Sequence, residues 1–229
     1  MAITGTSKGI GRAIAEHFAG RGYGVFGCSR GPSTLEVEGY HHSRLDIGEE
    51  NQVRDWVRLV KRTGGRIDAL VCNAGFMPGG VLMTLTQSDT LDRVLHTMFK
   101  GTYYVCREIA KVMILQRLGR IVAISSAMAG VHAEGTSAYS AAKSAVDEMI
   151  KVLAKELAST GVTCNAIAPG LVMTEAAQDL GINVTAQVLE RQTIKRAITV
   201  PEICHALEFF LAPESSCITG QVLYLGAVV

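Results

Sequence analysis

Short apolar runs alternate along this chain with longer segments in which apolar residues recur every three or four positions. The runs at 23–29, 69–73, 120–125, 161–168 and 221–225 predict buried strands, and the segments at 12–20, 49–63, 89–117, 138–159 and 200–212 predict helices. Strands that alternate with helices favour a parallel sheet joined by right-handed crossovers. We therefore expect an α/β fold, a doubly wound parallel sheet with helices on both faces, forming a single domain over residues 1–229.

Composition supports this expectation and limits the kinds of molecule that the protein is expected to bind. The 229 residues are 48% hydrophobic, and 22 basic against 21 acidic side chains leave a formal net charge of +1. Such a balance predicts no basic face for nucleic acid or an anionic membrane, and neither a signal peptide nor a membrane span is visible. The six scattered cysteines predict reduced core thiols, a cytoplasmic location and no metal site. We expect His41 and His42 in a solvated loop.

A glycine-rich turn follows the short apolar start of the chain. It reads Thr4-Gly5-Thr6-Ser7-Lys8-Gly9-Ile10-Gly11 and leads into the first predicted helix. A turn of this kind leaves backbone N–H groups free to bind a pyrophosphate at the positive end of the helix dipole. Because the glycine spacing differs from the GxGxxG fingerprint, a tight turn without a ligand is the alternative.

Tyr139 and Lys143 are four residues apart on a predicted helix, and Ser126 lies thirteen positions before the tyrosine. The spacing puts Tyr139 and Lys143 on one helix face, where an ammonium can lie beside a phenol and favour its ionised form. An unperturbed phenol titrates near pH ~10, so a neighbouring cation would make it useful for proton transfer near neutral pH. A chance pair on an ordinary helix is the alternative.

Three motifs follow predicted strands directly. Asn73-Ala74-Gly75, Ser126 and Pro169-Gly170 each come at the carboxyl end of an apolar run. Since the carboxyl ends of parallel strands share one edge, and ligands of open α/β sheets bind there, we expect a site at this edge.

In order along the chain, the following residues resemble the motifs of the short-chain dehydrogenase/reductase family, and of its members like the 3-oxoacyl-(acyl-carrier-protein) reductases: Thr4 to Gly11, Asp46-Ile47, Asn73-Ala74-Gly75, Ser126, Tyr139, Lys143, Pro169-Gly170 and Thr174. The resemblance implies a Rossmann-type sheet, a nicotinamide cofactor, and hydride transfer to a carbonyl or, in reverse, from a secondary alcohol. It implies catalytic roles for three residues: Tyr139 exchanges the proton, Lys143 holds the nicotinamide ribose and lowers the pKa of Tyr139, and Ser126 hydrogen-bonds the substrate oxygen.

The resemblance also implies which residues contact the cofactor. They are Gly5, Thr6, Ser7, Lys8, Gly9, Ile10, Gly11, Arg30, Asp46, Ile47, Asn73, Ala74, Gly75, Tyr139, Lys143, Pro169, Gly170, Val172 and Thr174. Asp46 and Ile47 resemble the family's adenine-side pair.

Two basic residues indicate which nicotinamide cofactor is used. An NAD site places a carboxylate near the end of the second strand, to bind the ribose diol. Here Arg30 stands at that place, no acid follows until Glu36, and Lys8 adds a cation inside the glycine turn. A guanidinium can pair with the 2′-phosphate of NADP and finds no such charge on NAD. We therefore predict NADP(H) rather than NAD(H).

Two departures from the family pattern keep a second function open. Met98 stands where the family carries an asparagine that holds a water next to the lysine, and the closing motif reads Gly226-Ala227-Val228. A methionine cannot replace the amide's hydrogen bonds. The leading prediction is an NADPH-dependent oxidoreductase acting on a small carbonyl or alcohol, free or tethered to a carrier. The alternative is a dinucleotide-binding protein with a sensory or scaffolding role.

The sequence indicates less about the substrate pocket and about the oligomeric state. Apolar segments after Ser126, Gly75 and Gly170 predict an apolar substrate wall, with His132 as the ionisable group near it. Small and apolar residues on more than one face of the helices at 89–117 and 138–159 exceed what packing on a sheet needs. With the resemblance, they imply a homo-oligomer, a dimer or a homotetramer.

Overall fold

Seven parallel strands form one sheet. The computed structural model describes residues 1–174 and 182–228. The strands are β1 (Ala2–Thr4), β2 (Val25–Ser29), β3 (Tyr40–Arg44), β4 (Ala69–Cys72), β5 (Gly119–Ile124), β6 (Val162–Pro169) and β7 (Val222–Leu225). Their order across the sheet is β3-β2-β1-β4-β5-β6-β7, and every neighbouring pair is parallel. The direction of winding reverses between β1 and β4, which opens a crevice at their carboxyl ends.

Helices cover both faces of this sheet. On one face, α2 (Glu50–Gly64), α4 (Thr102–Gln116) and α6 (Ser137–Glu156) enclose a core that includes Trp56, Ile109 and Ile150. On the other face, α1 (Gly9–Gly20) and α8 (Val200–Leu211) enclose a core around Phe18 and Phe210. The predicted fold class, a doubly wound Rossmann-type parallel sheet with helices on both faces, is confirmed.

Shorter elements complete the described chain. They are the 3₁₀-helices Met83–Leu85, Ala158–Thr160 and Pro213–Ser215, the helices α3 (Ser88–Val94), α5 (Met128–Val131) and α7 (Ile182–Arg191), and the π-helical segment Leu95–Gly101. None of the helices within residues 1–174 and 182–228 is long and apolar enough to cross a membrane.

The central strands explain why the apolar runs were a reliable signal. Every residue of β5 and β6 is buried. A parallel strand covered on both faces reads as a continuous apolar run, because neither face meets water.

Two predictions about local structure are corrected. The loop expected around His41 and His42 is the edge strand β3, which pairs with β2 along its whole length. An edge strand that is only half-buried carries no apolar run, so its pattern resembled a loop. The helix predicted at 89–117 is interrupted at Leu95–Gly101, where the backbone forms a π-helix with Met98 in its middle. Such π segments occur frequently at functional sites.

Candidate active site

A cleft of about 810 Å³ lies at the carboxyl ends of the strands. The predicted site residues that line it are Gly5, Ser7, Lys8, Gly9, Ile10, Arg30, Asp46, Ile47, Asn73, Ala74, Gly75, Ser126, Tyr139, Lys143, Pro169, Gly170, Val172 and Thr174. Thr6 and Gly11 are buried behind its wall. The fold therefore brings together, on one edge of the sheet, residues that are up to 169 positions apart in the chain (5 to 174).

The glycine turn is held in place by the strand ends beside it. The Thr4 hydroxyl accepts hydrogen bonds from the backbone N–H groups of Asn73 and Ala74, both at 3.0 Å. The Asn73 amide donates to the carbonyl oxygens of Thr4 and Gly5 at 3.1 and 3.3 Å. A Cβ atom at Gly11 would lie 2.2 Å from both the Asn73 amide nitrogen and the Gly5 oxygen, so this position needs glycine. Asn73 thus braces the turn that it adjoins.

The first turn of α1 opens onto the cleft with its N–H groups available. Lys8 is the N-cap residue and makes no capping hydrogen bond with its side chain, and the first turn contains no acidic residue. Uncapped N–H groups at a helix start, with the positive end of the dipole, form a site for a phosphate group. The glycine turn therefore fits the pyrophosphate of a dinucleotide.

Arg30 lies directly after β2, exposed at the rim of the cleft that Lys8 also lines. Its backbone carbonyl accepts a hydrogen bond of 3.4 Å from the Arg44 Nε at the end of β3. Three cations therefore stand near this end of the cleft, where the pattern of the sequence predicted two.

A polar network behind Arg30 joins the glycine turn to β3. His42 Nδ1 lies 2.9 Å from the Tyr40 hydroxyl, which donates to the Thr6 hydroxyl at 2.8 Å. His42 Nε2 lies 3.0 Å from the Gly31 carbonyl oxygen, next to Arg30. Because a carbonyl only accepts, Nε2 carries a proton in this arrangement. Sequence reasoning missed this network, since it placed His42 in solvent; the alternation of Tyr40 and His42 on one strand face was its only signal.

Asp46 has a neighbour that the motif did not predict. Its Oδ1 accepts a hydrogen bond of 2.9 Å from the Gly48 N–H, and His96 Nε2 lies 3.6 Å from the same oxygen. His96 belongs to the π-helical segment, which brings the imidazole over the loop after β3.

The three expected catalytic residues converge on the cleft. Ser126 follows β5, and Tyr139 and Lys143 lie on α6. The Lys143 ammonium donates a hydrogen bond of 2.6 Å to the Ile124 carbonyl oxygen and lies 5.9 Å from the centre of the Tyr139 ring. The Ser126 hydroxyl accepts a hydrogen bond from the Met128 N–H at 3.2 Å and is near enough to the Tyr139 phenol to lower its pKa. A substrate oxygen placed between Ser126 and Tyr139 would meet two hydroxyl groups.

The expectation for the Tyr139 pKa is corrected. Burial raises the pKa of the phenol above its ordinary value, and the neighbouring Ser126 hydroxyl opposes that rise. Burial also lowers the pKa of Lys143 to about 8. Both shifts have one cause, since a charge removed from water loses its solvation. In the protein alone, Tyr139 is therefore held as the neutral proton donor, and the ammonium beside it does not ionise it.

Met98 is buried near Lys143. Its side chain is 1% exposed and packs in a small cluster with Val94 and Ala142. A Cβ atom at Gly75 would lie 3.5 Å from Met98 Cγ and 3.8 Å from Lys143 Nζ, so both side chains reach the same glycine. The thioether offers no donor and only a weak acceptor here.

The substrate side of the cleft is largely apolar. Phe76, Met77, Met128, Val131 and Leu171 line it. His132, which we expected there, is exposed and outside the lining; it takes a left-handed conformation (φ 55°) at the end of α5. Glu134 and Arg191 contribute the ionisable groups to this part of the cleft instead.

Comparisons with known proteins agree with this geometry. A model of the enoyl-(acyl carrier protein) reductase family matches residues 5–227. The chain is 29% identical to the 3-oxoacyl-(acyl-carrier-protein) reductases of Staphylococcus epidermidis (strain ATCC 35984) and Escherichia coli (strain K12), over 97% of this chain and 95% and 93% of those proteins.

Solved structures give the same result. ElxO with NADP bound superposes with a TM-score of 0.90 at 28% identity, over 97% of this chain and 95% of that one. A short-chain type dehydrogenase/reductase from Mycobacterium ulcerans superposes with a TM-score of 0.91 at 27% identity, over 98% and 86%. The resemblance in the order of the motifs is thereby confirmed: the chain belongs to the short-chain dehydrogenase/reductase family of oxidoreductases.

Proposed function

We propose that this protein reduces a carbonyl group with NADPH, or oxidises the corresponding secondary alcohol in reverse, with Tyr139 as the proton donor. The observation that carries the proposal is the convergence of Ser126, Tyr139 and Lys143 on the cleft into which the glycine turn opens. A cleft with a phosphate site at one end and a proton donor at the other suits a dinucleotide that reacts at its far end.

The choice of NADP(H) rests on charge at the rim of the cleft. Arg30 and Lys8 line it, and the Arg44 side chain touches the Arg30 carbonyl. Guanidinium groups bind phosphate with charge-assisted hydrogen bonds, and NAD offers no phosphate at this place. ElxO, 28% identical to this chain, holds NADP in its solved structure, which supports the same assignment.

The residues of this chain have separate tasks in the reaction. The bound nicotinamide supplies the hydride. The Ser126 hydroxyl donates a hydrogen bond to the carbonyl oxygen and stabilises the negative charge that develops on it. Tyr139, kept neutral by burial, gives this oxygen its proton. Lys143, charged below pH about 8, places a cation beside the phenolate that remains.

The substrate class follows from the walls of the cleft and from the relatives. Phe76, Met77 and Met128 offer apolar surface next to Tyr139, which suits an aliphatic ketone. The curated relatives are reductases of 3-oxoacyl groups on acyl carrier protein. We therefore infer a 3-oxoacyl group, free as a thioester or tethered to a carrier, as the first substrate to test.

A spectrophotometric assay of NADPH consumption tests the proposal. The panel contains a 3-oxoacyl thioester, simple aliphatic ketones and aromatic ketones, each with NADPH and NADH. Turnover with at least one ketone and NADPH is expected.

Met98 favours a second candidate, a dinucleotide-binding protein with little turnover. Its thioether stands beside Lys143 without a group that could hold a water. NADPH binding without consumption of any ketone in the panel would support this candidate and refute the first.

A further inference from the structure

Asp147 lies one helical turn beyond Lys143 on the same face of α6. The two residues are 5% and 6% exposed, so a carboxyl and an ammonium are buried four positions apart. Side chains at this spacing are neighbours on a helix surface. Burial of a carboxyl group is energetically costly. A buried carboxyl next to a functional lysine therefore indicates a functional role.

The carboxyl group of Asp147 is incompletely satisfied. Its Oδ1 is shielded from solvent and has no hydrogen-bond partner within the described part of the chain, and the same holds for the Ser125 hydroxyl at the end of β5. The Ser125 hydroxyl is near enough to the carboxyl to lower its pKa. Buried polar atoms are otherwise almost always paired, so the unpartnered Oδ1 can take up a proton.

Met98 and Lys143 both approach Gly75, and the Met98 thioether offers Lys143 no donor and only a weak acceptor. The family's asparagine, which would hold a water there, is replaced by the thioether. Asp147 is the buried acid one helical turn from Lys143, and it can return a proton that the lysine has lost toward Tyr139.

Electrostatics couple the two residues. The Asp147 carboxylate raises the pKa of Lys143 against the lowering by burial, with a smaller contribution from Cys72 on β4. Burial raises the pKa of Asp147, while Ser125, Lys143 and Lys151 lower it and Glu148 raises it. Burial and the Asp147 carboxylate raise the pKa of Tyr224 on β7, and Lys151 lowers it.

These observations, taken with the function proposed above, lead to one inference. We propose that Asp147 is a positioning residue that returns the proton to Lys143 during turnover. When the Lys143 ammonium has passed a proton toward Tyr139, it is left as a neutral amine. The Asp147 carboxylate then takes a proton from water on its outer side and passes it to this amine through one water, which restores the ammonium and the carboxylate. Protons and charge therefore balance over the cycle.

Beyond Asp147, the same face of α6 reaches the protein surface. Lys151 lies one turn further on, at the surface, in an ion pair of 2.6 Å with Glu148. Lys143, Asp147 and Lys151 thus form a row from the cleft to water, with Tyr224 beside it.

Asp147→Asn tests the inference. It keeps the shape and removes the titrating group, so kcat should fall ~10-fold, less than the ~10²-fold loss expected for a group that gives its proton to the substrate, with a larger solvent isotope effect and unchanged NADPH affinity. The matched control is Glu156→Gln, which removes an exposed acid from the same helix and should change neither quantity. Asp147→Glu should recover part of the rate. Normal kcat in a folded Asp147→Asn protein would overturn the inference.

A double variant separates proton return from a loss of packing. Met98→Asn should restore most of the rate in the Asp147→Asn background, because the amide can hold a water beside Lys143. A structural defect would not be repaired by an amide on the opposite side of Lys143, so failure of the rescue counts against the inference.

A measurement without turnover distinguishes failure of this inference from failure of the proposed function. With ¹³C-labelled lysine, the titration of Lys143 is followed by NMR in the protein alone. The pKa of Lys143 should be about 8 in the parent protein and lower in Asp147→Asn, since the carboxylate raises it. An unchanged titration would show that the residues are not coupled, even if no ketone is reduced.

Discussion

The Lys143 ammonium donates a hydrogen bond of 2.6 Å to the carbonyl oxygen of Ile124, the last residue of β5. This contact anchors a buried cation at the end of β5, two residues before Ser126. It compensates for only part of the solvation that the ammonium loses, because burial still lowers the pKa of Lys143 to about 8.

The first prediction is a pH dependence with opposite signs in the two directions. Carbonyl reduction uses the Lys143 ammonium, which is present below pH about 8 and lost above it. The rate of reduction should therefore fall as the pH rises through about 8, and the rate of alcohol oxidation should rise. Profiles of kcat/KM between pH 6 and ~10, the range over which an ordinary lysine stays charged, measure both. A reduction rate that is constant over this range would contradict the assignment.

A related effect on stability has a defined sign. The pKa of Lys143 in the folded protein lies below its ordinary value of 10.5. The folded protein therefore releases this proton before the unfolded chain does. The contribution of Lys143 to the free energy of unfolding should be unfavourable below pH about 8 and should improve as the pH rises toward 10.5.

The second prediction concerns the proton donor. Tyr139→Phe keeps the buried ring and removes the hydroxyl, so turnover should fall by ~10²-fold or more, the usual scale for a positioned acid. NADPH affinity should change little, and it is measured by nicotinamide fluorescence. Tyr103→Phe removes the hydroxyl of an exposed tyrosine on α4 and serves as the control. Full activity of Tyr139→Phe would require a different proton donor.

The third prediction concerns the choice between the two cofactors. Arg30→Ala removes the cation at the rim of the cleft, so the Kd for NADPH should rise ~10-fold, about 1.4 kcal/mol for one charge-assisted contact. The Kd for NADH should stay nearly constant, because NADH lacks the 2′-phosphate. Arg58→Ala removes an exposed arginine of α2 and should leave both values unchanged. Equal losses for both cofactors would mean that Arg30 does not bind the phosphate.

The fourth prediction follows from the network behind Arg30. His42→Phe keeps an aromatic ring but loses the contacts to the Tyr40 hydroxyl and the Gly31 carbonyl. The Arg30–Gly31 turn should then be less well positioned, and NADPH affinity should fall several-fold, consistent with about 1 kcal/mol for a lost hydrogen bond. His41→Phe, one position earlier on the same strand, is the matched control. If NADPH and NADH affinities fall together, the network supports the glycine turn as a whole, and a specific effect on the phosphate is excluded.

The fifth prediction concerns assembly. Tyr103 on α4 and Val152 on α6 are 45% and 55% exposed, on the two helices whose outer faces carry more apolar surface than the sheet requires. We expect a dimer or tetramer in solution, measured by light scattering at micromolar concentration. A monomer would contradict this expectation, and Tyr103→Lys should weaken the assembly if α4 lies in the interface.

Local patterns in the sequence were enough to predict the fold class and most of the residues that line the cleft. Strands β5 and β6 are mostly apolar because both faces are covered, so they were found from their runs, although Arg120, Thr163 and Asn165 interrupt these runs. The four-residue spacing of Tyr139 and Lys143 was enough to put both on one helix face. The motifs after the strands could be assigned to one edge, because parallel strands end at the same side of a sheet.

Only the tertiary structure decided the contacts between distant segments and the effects of burial. His42 meets Thr6 across 36 positions of chain, and no local pattern encodes such a pairing when the strand is a half-buried edge. The Tyr139 pKa was predicted with the wrong sign, because the spacing to Lys143 shows a nearby cation but not how much water both groups lose. The same reason applies to Asp147: its position on the helix was readable, but its burial beside Ser125 depends on how α6 is rotated against the sheet.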